Sequence, residues 1–176
     1  MRLWALAMLT LAPPAALACS GDAWPMFGCQ TMDRQSNLKE ESIAICGTSD
    51  GPSIQYQHET GDKVDFAYPA DPTQGGAKLF FHHYFKAGLY HARLRFKTGG
   101  YTYRIFFDDQ PASTDPDTIN GPSAGIEVLK GSKVISTLDC GERPASYFED
   151  IRRATTCDPE NPFGAKGCTE EPLDLP

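Results

Sequence analysis

The chain has 176 residues, a formal net charge of −7 and six cysteines. This length fits a single domain, and the acidic balance argues against non-specific binding to nucleic acid. Residues 1–18 are typical of a secretory signal: Arg2, an apolar run from Leu3 to Leu11, and Ala16-Leu17-Ala18 before the predicted cleavage point. That run is shorter than the roughly 20 residues a membrane-spanning helix needs. We therefore expect an exported protein, periplasmic or secreted, with no transmembrane segment.

The six cysteines all follow the predicted cleavage point. An even number in an oxidising compartment predicts three disulfides. The pairing we favour places Cys46–Cys140 at the centre, with Cys19–Cys29 and Cys157–Cys168 holding the two ends of the chain. Cys19, as the new N-terminal residue, also raises the alternative of a lipoprotein acylated there. The leucine that such signals carry three residues earlier is replaced by alanine, and acylation would leave one other thiol unpaired.

The middle of the chain has the period-two alternation of half-buried strands. Residues 19–41 lack this pattern, and we expect an irregular N-terminal segment there. Gly99-Gly100 and Gly131-Ser132 predict hairpin turns, while Asp109 to Pro122 is a polar loop by composition. The predicted strands are residues 42–46, 53–58, 64–68, 78–85, 88–97, 101–108, 125–130 and 133–140.

The C-terminal part changes character after Gly141. Ser146-x-x-Glu149 has the form of a capping box and predicts a short helix from about Tyr147 to Ala154. Residues 157–176 predict an extended tail held by one disulfide. The fold class that follows is all-β, an antiparallel β-sandwich or flattened barrel over residues 42–156 with one short C-terminal helix.

A basic stripe is the first candidate site. The alternation puts His91, Arg93, Arg95 and Lys97 on one face of a strand, and Arg104 lies on the returning strand. Arginine forks suit anionic groups, although charged outer faces are also normal in antiparallel sheets. Aromatic residues at the hairpin tip and beside Arg104 are further candidates for exposed contacts. The predicted contact residues are Arg93, Arg95, Tyr101, Arg104 and Phe106.

Catalytic patterns are weak throughout the sequence. His82 and His83 are adjacent, so on a strand they point to opposite faces, which disfavours a metal site formed by them with His91. No serine lies in a Gly-x-Ser-x-Gly elbow, and no glycine-rich phosphate loop is present. We expect a protein without enzymatic activity, cofactor or metal.

Several runs resemble a group of small secreted bacterial proteins with no assigned activity. These runs are Ser42-Ile43-Ala44-Ile45-Cys46, Leu94-Arg95-Phe96-x-x-Gly99-Gly100-Tyr101-x-Tyr103 and Leu138-x-Cys140, within residues 42–140. The chain is similar, more distantly, to periplasmic lysozyme inhibitors, small β-barrel or β-sandwich proteins that insert a loop into the lysozyme cleft. Their Ser-Gly-rich inhibitory loop is absent from this sequence, so no inhibitory residue is carried over.

The function we expect is that of a non-enzymatic binding protein of the cell envelope or periplasm. The resemblance implies inhibition of a lysozyme. Because loops on a rigid sheet usually carry function, we expect the Gly99-Gly100 hairpin and the Asp109–Pro122 loop to be the contact elements. The alternative is a carbohydrate- or anionic-lipid-binding module that uses Arg93, Arg95 and Arg104. The expected partner is thus a protein or a glycan of the envelope.

Overall fold

The computed structural model describes residues 19–32, 37–49, 53–86, 88–110 and 122–169. The predicted signal segment lies outside these residues. Two short helices, α1 (Gly75–Lys78) and α2 (Phe148–Ala154), accompany the strands, with 3-10 turns at Pro72–Gln74 and Gly164–Cys168. The strands are β1 (Trp24–Met32), β2 (Leu38–Gly47), β3 (Ile54–Thr60), β4 (Lys63–Tyr68), β5 (Phe80–Lys86), β6 (Leu89–Thr98), β7 (Tyr101–Asp109), β8 (Ser123–Lys130), β9 (Lys133–Cys140), β10 (Ala145–Ser146) and β11 (Thr156–Cys157).

The strands form one large sheet in the order β11-β5-β6-β7-β8-β9-β1-β2-β3-β4, with β10 paired to β1. Neighbours are antiparallel except β11, which runs parallel to β5. The all-β prediction is confirmed, and the eight predicted strands correspond to β2–β9. Over the described part of the chain, β4 and β11 are two separate ends of the sheet, so it is not closed into a barrel.

Aromatic contacts show that the two halves of this sheet face each other. The ring centroid of Tyr56 on β3 lies 5.2 Å from that of Phe96 on β6. Phe66 on β4 lies 5.5 Å from Tyr103 on β7. Between the halves is one apolar core, closed at one end by Ile151 of α2. The continuous sheet therefore makes a sandwich by folding over itself.

The prediction of an irregular segment over residues 19–41 is wrong. β1 lies between β9 and β2 in the sheet, and β2 starts at Leu38 rather than Ser42. Residues 26–29 of β1 are buried in succession, on both faces, and the β1–β2 pairing shifts register twice. A central strand buried on both sides does not alternate, so the period-two pattern is absent from its sequence.

The position of β1 also changes the disulfides. Cys157–Cys168 is confirmed, whereas the other bonds are Cys19–Cys46 and Cys29–Cys140. The predicted Cys46–Cys140 and Cys19–Cys29 pairs are wrong. Because β1 pairs with the end of β9, it brings Cys29 next to Cys140. Cys46 pairs with the start of β1 and reaches Cys19 instead.

The predicted short helix is confirmed as α2, but its predicted capping box is wrong. Tyr147 is the N-cap and makes no side-chain capping hydrogen bond. Ser146 instead belongs to β10 and pairs with Phe27 of β1. None of the described helices is long and apolar enough to cross a membrane.

Candidate functional site: a cleft on the outer face of the sheet

An open cleft of about 440 Å³ lies on the face of β5, β6 and β7 that is turned away from the core. We call it the outer-face cleft. Its floor is formed by the strands, and its other side by the chain that follows β11, residues 158–163, which we call the wall segment. The lining residues are His82, Tyr84, His91, Arg93, Arg95, Arg104, Asp158, Glu160, Pro162 and Phe163.

Strand alternation determines which side chains reach this cleft. On β6, Ala92, Leu94 and Phe96 are buried in the core, so His91, Arg93 and Arg95 project from the opposite face. The register places Tyr84 of β5 opposite His91 and Arg104 of β7 opposite Arg95. Cross-strand neighbours on one face lie about 5 Å apart, so these side chains form one contiguous floor.

The wall segment is attached to the floor by a buried ion pair. Asp158, only 2 % exposed, accepts a hydrogen bond from Arg95 Nε at 2.9 Å and a second from the Arg95 terminal nitrogen. The Asp158 backbone N–H donates to the carbonyl of Phe81 at 2.9 Å, which extends the parallel pairing of β11 with β5. Glu160 then reaches Lys97 at 2.8 Å, at the solvent side of the cleft.

The ion pair determines the charge state of Asp158. Burial alone would raise the pKa of this carboxyl, but hydrogen bonds from Arg95 and from the Glu160 amide outweigh it and hold the pKa well below its usual value. The hydrogen bond with Asp158 raises the pKa of Arg95 in turn. Both groups are therefore charged at neutral pH.

The other two arginines of the floor are also paired. Arg93 donates to Asp108 Oδ2 at 2.9 Å, and His91 Nδ1 contacts the same carboxylate. Arg104 Nε donates to Glu127 Oε2 at 2.7 Å. Four cations (Arg93, Arg95, Lys97, Arg104) thus contact four carboxylates (Asp108, Glu127, Asp158, Glu160) in and around the cleft.

Two aromatic rings give the cleft an apolar surface. The Tyr84 ring stacks on the His91 ring at 4.4 Å, and Phe163 of the wall segment lies 4.4 Å from the Tyr84 ring. The guanidinium of Arg93 lies 5.9 Å from the ring centre of Phe106, at the edge of this face. The site therefore combines an aromatic surface with arginine–carboxylate pairs.

The adjacent histidines point to opposite faces, as predicted. His82 lines the cleft, where its Nδ1 atom lies 3.6 Å from Asp158, beyond hydrogen-bond distance. His83 is buried on the other face, with Nδ1 3.1 Å from the Tyr90 hydroxyl and Nε2 2.8 Å from the Thr169 carbonyl. Within the described residues, no cluster of three or more His, Cys, Asp or Glu could hold a metal ion.

Of the predicted contact residues, Arg93, Arg95 and Arg104 line the cleft, and Phe106 lies beside Arg93. Tyr101 lies elsewhere, at the β6–β7 hairpin turn, where both glycines have positive φ. Residues 111–121 of the predicted contact loop lie outside the described residues. The sequence reasoning missed Tyr84, Asp158, Glu160 and Phe163. For Asp158, Glu160 and Phe163 the sequence did offer one signal, because they lie between Cys157 and Cys168. A disulfide between these cysteines holds a charged and aromatic stretch near the sheet.

Comparisons of the chain with family models, with curated proteins and with solved structures give no significant match. The resemblance to lysozyme inhibitors therefore stays a prediction, and the cleft geometry is the basis for assigning a function.

Proposed function

We propose that this protein is a non-enzymatic, exported binding protein whose outer-face cleft binds carbohydrate. Three disulfides fit an oxidising environment outside the cytoplasm. The sulfur of Cys19 is bonded to Cys46, and the same sulfur cannot also carry a lipid. We therefore favour an unlipidated protein of the periplasm or the medium over a lipoprotein.

The observation that supports a carbohydrate ligand is the aromatic surface beside neutralised arginines, formed by Tyr84, which stacks on His91, and by the tilted ring of Phe163. A sugar ring has an apolar C–H face that packs on aromatic rings, and hydroxyl groups around its edge. Aromatic residues with a polar handle suit such ligands, and an arginine–carboxylate pair presents donors and acceptors in one plane. The cleft volume of 440 Å³ lies within the range of about 300–1,000 Å³ for small-molecule sites.

Charge balance separates this proposal from the anionic-lipid alternative. A phosphate or carboxylate ligand would need arginines free to receive it, yet Arg93, Arg95 and Arg104 each already contact a carboxylate. Displacing a carboxylate such as Asp158 would leave it buried without its cation, which costs about 3–5 kcal/mol. Neutral hydroxyl groups can instead bind to the pairs without separating them.

The experiment is titration calorimetry of the purified, oxidised protein against neutral and acidic oligosaccharides, with phosphatidylglycerol vesicles as the lipid arm. We expect binding to neutral saccharides, weakened about tenfold by Tyr84→Ala, a loss of about 1.4 kcal/mol. Tyr101→Ala is the matched control because it removes the same side chain outside the cleft, and its affinity should stay within about twofold of the wild type. Binding to vesicles but to no saccharide would refute the proposal.

A lysozyme activity assay on the same variants tests the inhibitor hypothesis. An inhibitor that acts through the β6–β7 hairpin would be weakened by Tyr101→Ala and unaffected by Tyr84→Ala. That pattern would replace carbohydrate binding with protein inhibition as the function of this chain.

A further inference from the structure

One side of the outer-face cleft is built within a single disulfide loop. Cys157 and Cys168 are 11 residues apart, and the four lining residues that do not come from the sheet lie between them. These residues are Asp158, Glu160, Pro162 and Phe163. The bond between the two cysteines thus encloses the entire wall segment and none of the floor.

The three disulfides differ in their exposure to solvent. Cys29 and Cys140 are 2 % and 8 % exposed, and they join β1 to β9 inside the sheet. Cys46 is also buried, at 3 % exposed, and its partner Cys19 is half-buried. Cys157 is exposed and Cys168 is half-buried, so a soluble thiol reaches this bond more readily than the other two.

Among the described residues, a small set of further contacts holds the wall segment to the floor. Its main-chain pairing with the sheet is limited to two residues of β11 and the Asp158 amide. The Lys97–Glu160 pair is more than half exposed on both sides and contributes little. The ion pairs of Arg95 with Asp158 and Glu160 remain, as does the packing of Phe163 on Tyr84 and His82. All of these contacts require the chain between the cysteines to keep its conformation.

We infer that the Cys157–Cys168 disulfide is a redox switch for the outer-face cleft: the oxidised bond holds the wall segment in place, and its reduction releases the wall and abolishes ligand binding while the sheet stays folded. This inference rests on the proposed function. The step requires a dithiol reductant, which supplies two electrons and two protons. The S–S bond breaks to give two thiols, and the reductant becomes a disulfide.

The first measurement is mild reduction of the folded protein with dithiothreitol, followed by alkylation and peptide mapping. We expect Cys157 and Cys168 to be alkylated at least tenfold faster than Cys29 and Cys140. Hydrogen exchange should then rise at least tenfold at the amides of Asp158 and Glu160 and stay unchanged in β6 and β7. Equal alkylation rates at Cys157 and Cys29, or unchanged exchange in the wall segment, would overturn the inference.

The second measurement is saccharide affinity. The Cys157→Ser/Cys168→Ser double variant should lose at least tenfold in affinity while its near-ultraviolet circular dichroism retains the core signal. Cys19→Ser/Cys46→Ser is the matched control because it removes a disulfide that does not border the cleft, and its affinity should be preserved. If the reduced protein binds as tightly as the oxidised one, the switch is refuted and the proposed function stands. If the oxidised protein binds no saccharide, the proposed function fails, and the exchange data still decide whether the disulfide holds the wall.

Discussion

The two faces of strands β5, β6 and β7 are stabilised by different interactions. On the inner face, Leu94, Phe96 and Ile105 are buried in the common core. On the outer face, arginines of the same strands are paired with carboxylates. Apolar burial is non-directional and tolerates many neighbours, whereas each charged pair requires one partner in a defined geometry.

The partners of the two faces also belong to different parts of the fold. The inner face packs against the strands of the other half of the sheet, which folds over it. The outer face depends for its most buried pair on Asp158, which is 63 residues from Arg95. We therefore expect changes on the inner face to unfold the domain and changes on the outer face to open the cleft.

The largest effect should come from Phe96→Ala on the inner face. Phe96 is fully buried and stacks between Tyr68 at 4.7 Å and Tyr103 at 4.8 Å. Removing such a ring leaves a cavity and costs about 3–5 kcal/mol. Urea unfolding measures this loss. The matched outer-face change, Phe106→Ala, should cost less than about 1.5 kcal/mol. Equal costs would remove the distinction between the faces.

The next effect is expected for Arg95→Met on the outer face. The change removes the cation of the buried Asp158 carboxylate. Because the carboxylate can return to water if the wall segment lifts, we expect a cost of about 1–3 kcal/mol, below the roughly 3–5 kcal/mol for a charge that stays buried and unpaired. The wall segment can lift to rehydrate the carboxylate, so amide exchange should rise in residues 158–163 before the sheet unfolds. Arg95→Met/Asp158→Leu is the control, since replacing both charges with apolar groups avoids the unpaired charge and should recover most of the stability. If amide exchange in residues 158–163 is unchanged in Arg95→Met, the Arg95–Asp158 pair does not hold the wall segment.

A pH titration gives a smaller effect on the same pair. The folded protein holds the pKa of Asp158 below its usual value of about 3.9. A lowered pKa means that the stabilisation is fully present above the usual value and is lost as the pH falls through the folded one. We expect wall exchange to increase below about pH 4. Comparison with Asp158→Asn, which cannot titrate, separates this carboxyl from the others. An identical acid response in both proteins would contradict the assignment.

The inner face could be predicted from the sequence because its signal is local. On β6, Ala92, Leu94 and Phe96 alternate with charged residues, and this period alone identifies the strand and its buried side. The same reasoning failed for β1, where residues 26–29 are buried in succession and no alternation exists. The prediction of the disulfide pairing was wrong for the same reason, because the partner of Cys29 depends on where β1 lies in the sheet.

The outer-face cleft could be predicted only in part. The alternation brings Arg93, Arg95 and Arg104 to one face, but their neutralisation depends on Asp158, whose partner cannot be read from local sequence. A tail rich in proline and acidic residues is typical of exposed chain, and only its two cysteines indicated that it is held in place. The sequence thus predicts an anion-binding stripe, whereas the folded chain has a charge-balanced cleft.

The smallest effect tests whether burial, rather than charge pairing itself, gives the outer face its stability. Glu149 in α2 accepts hydrogen bonds from Arg152 Nε at 2.8 Å and Arg153 Nε at 2.9 Å, and these lower its pKa to about 2. The Glu149 side chain is 37 % exposed, so solvent screens both pairs. We expect Glu149→Gln to cost only about 0.3–0.5 kcal/mol at pH 7, by urea unfolding, as is usual for such helix pairs. Because the pKa is lowered, this contribution is present at neutral pH and disappears as the pH falls towards 2. If Glu149→Gln cost as much as Arg95→Met, pairing alone would account for both, and the buried position of Asp158 would have no special part in holding the cleft together.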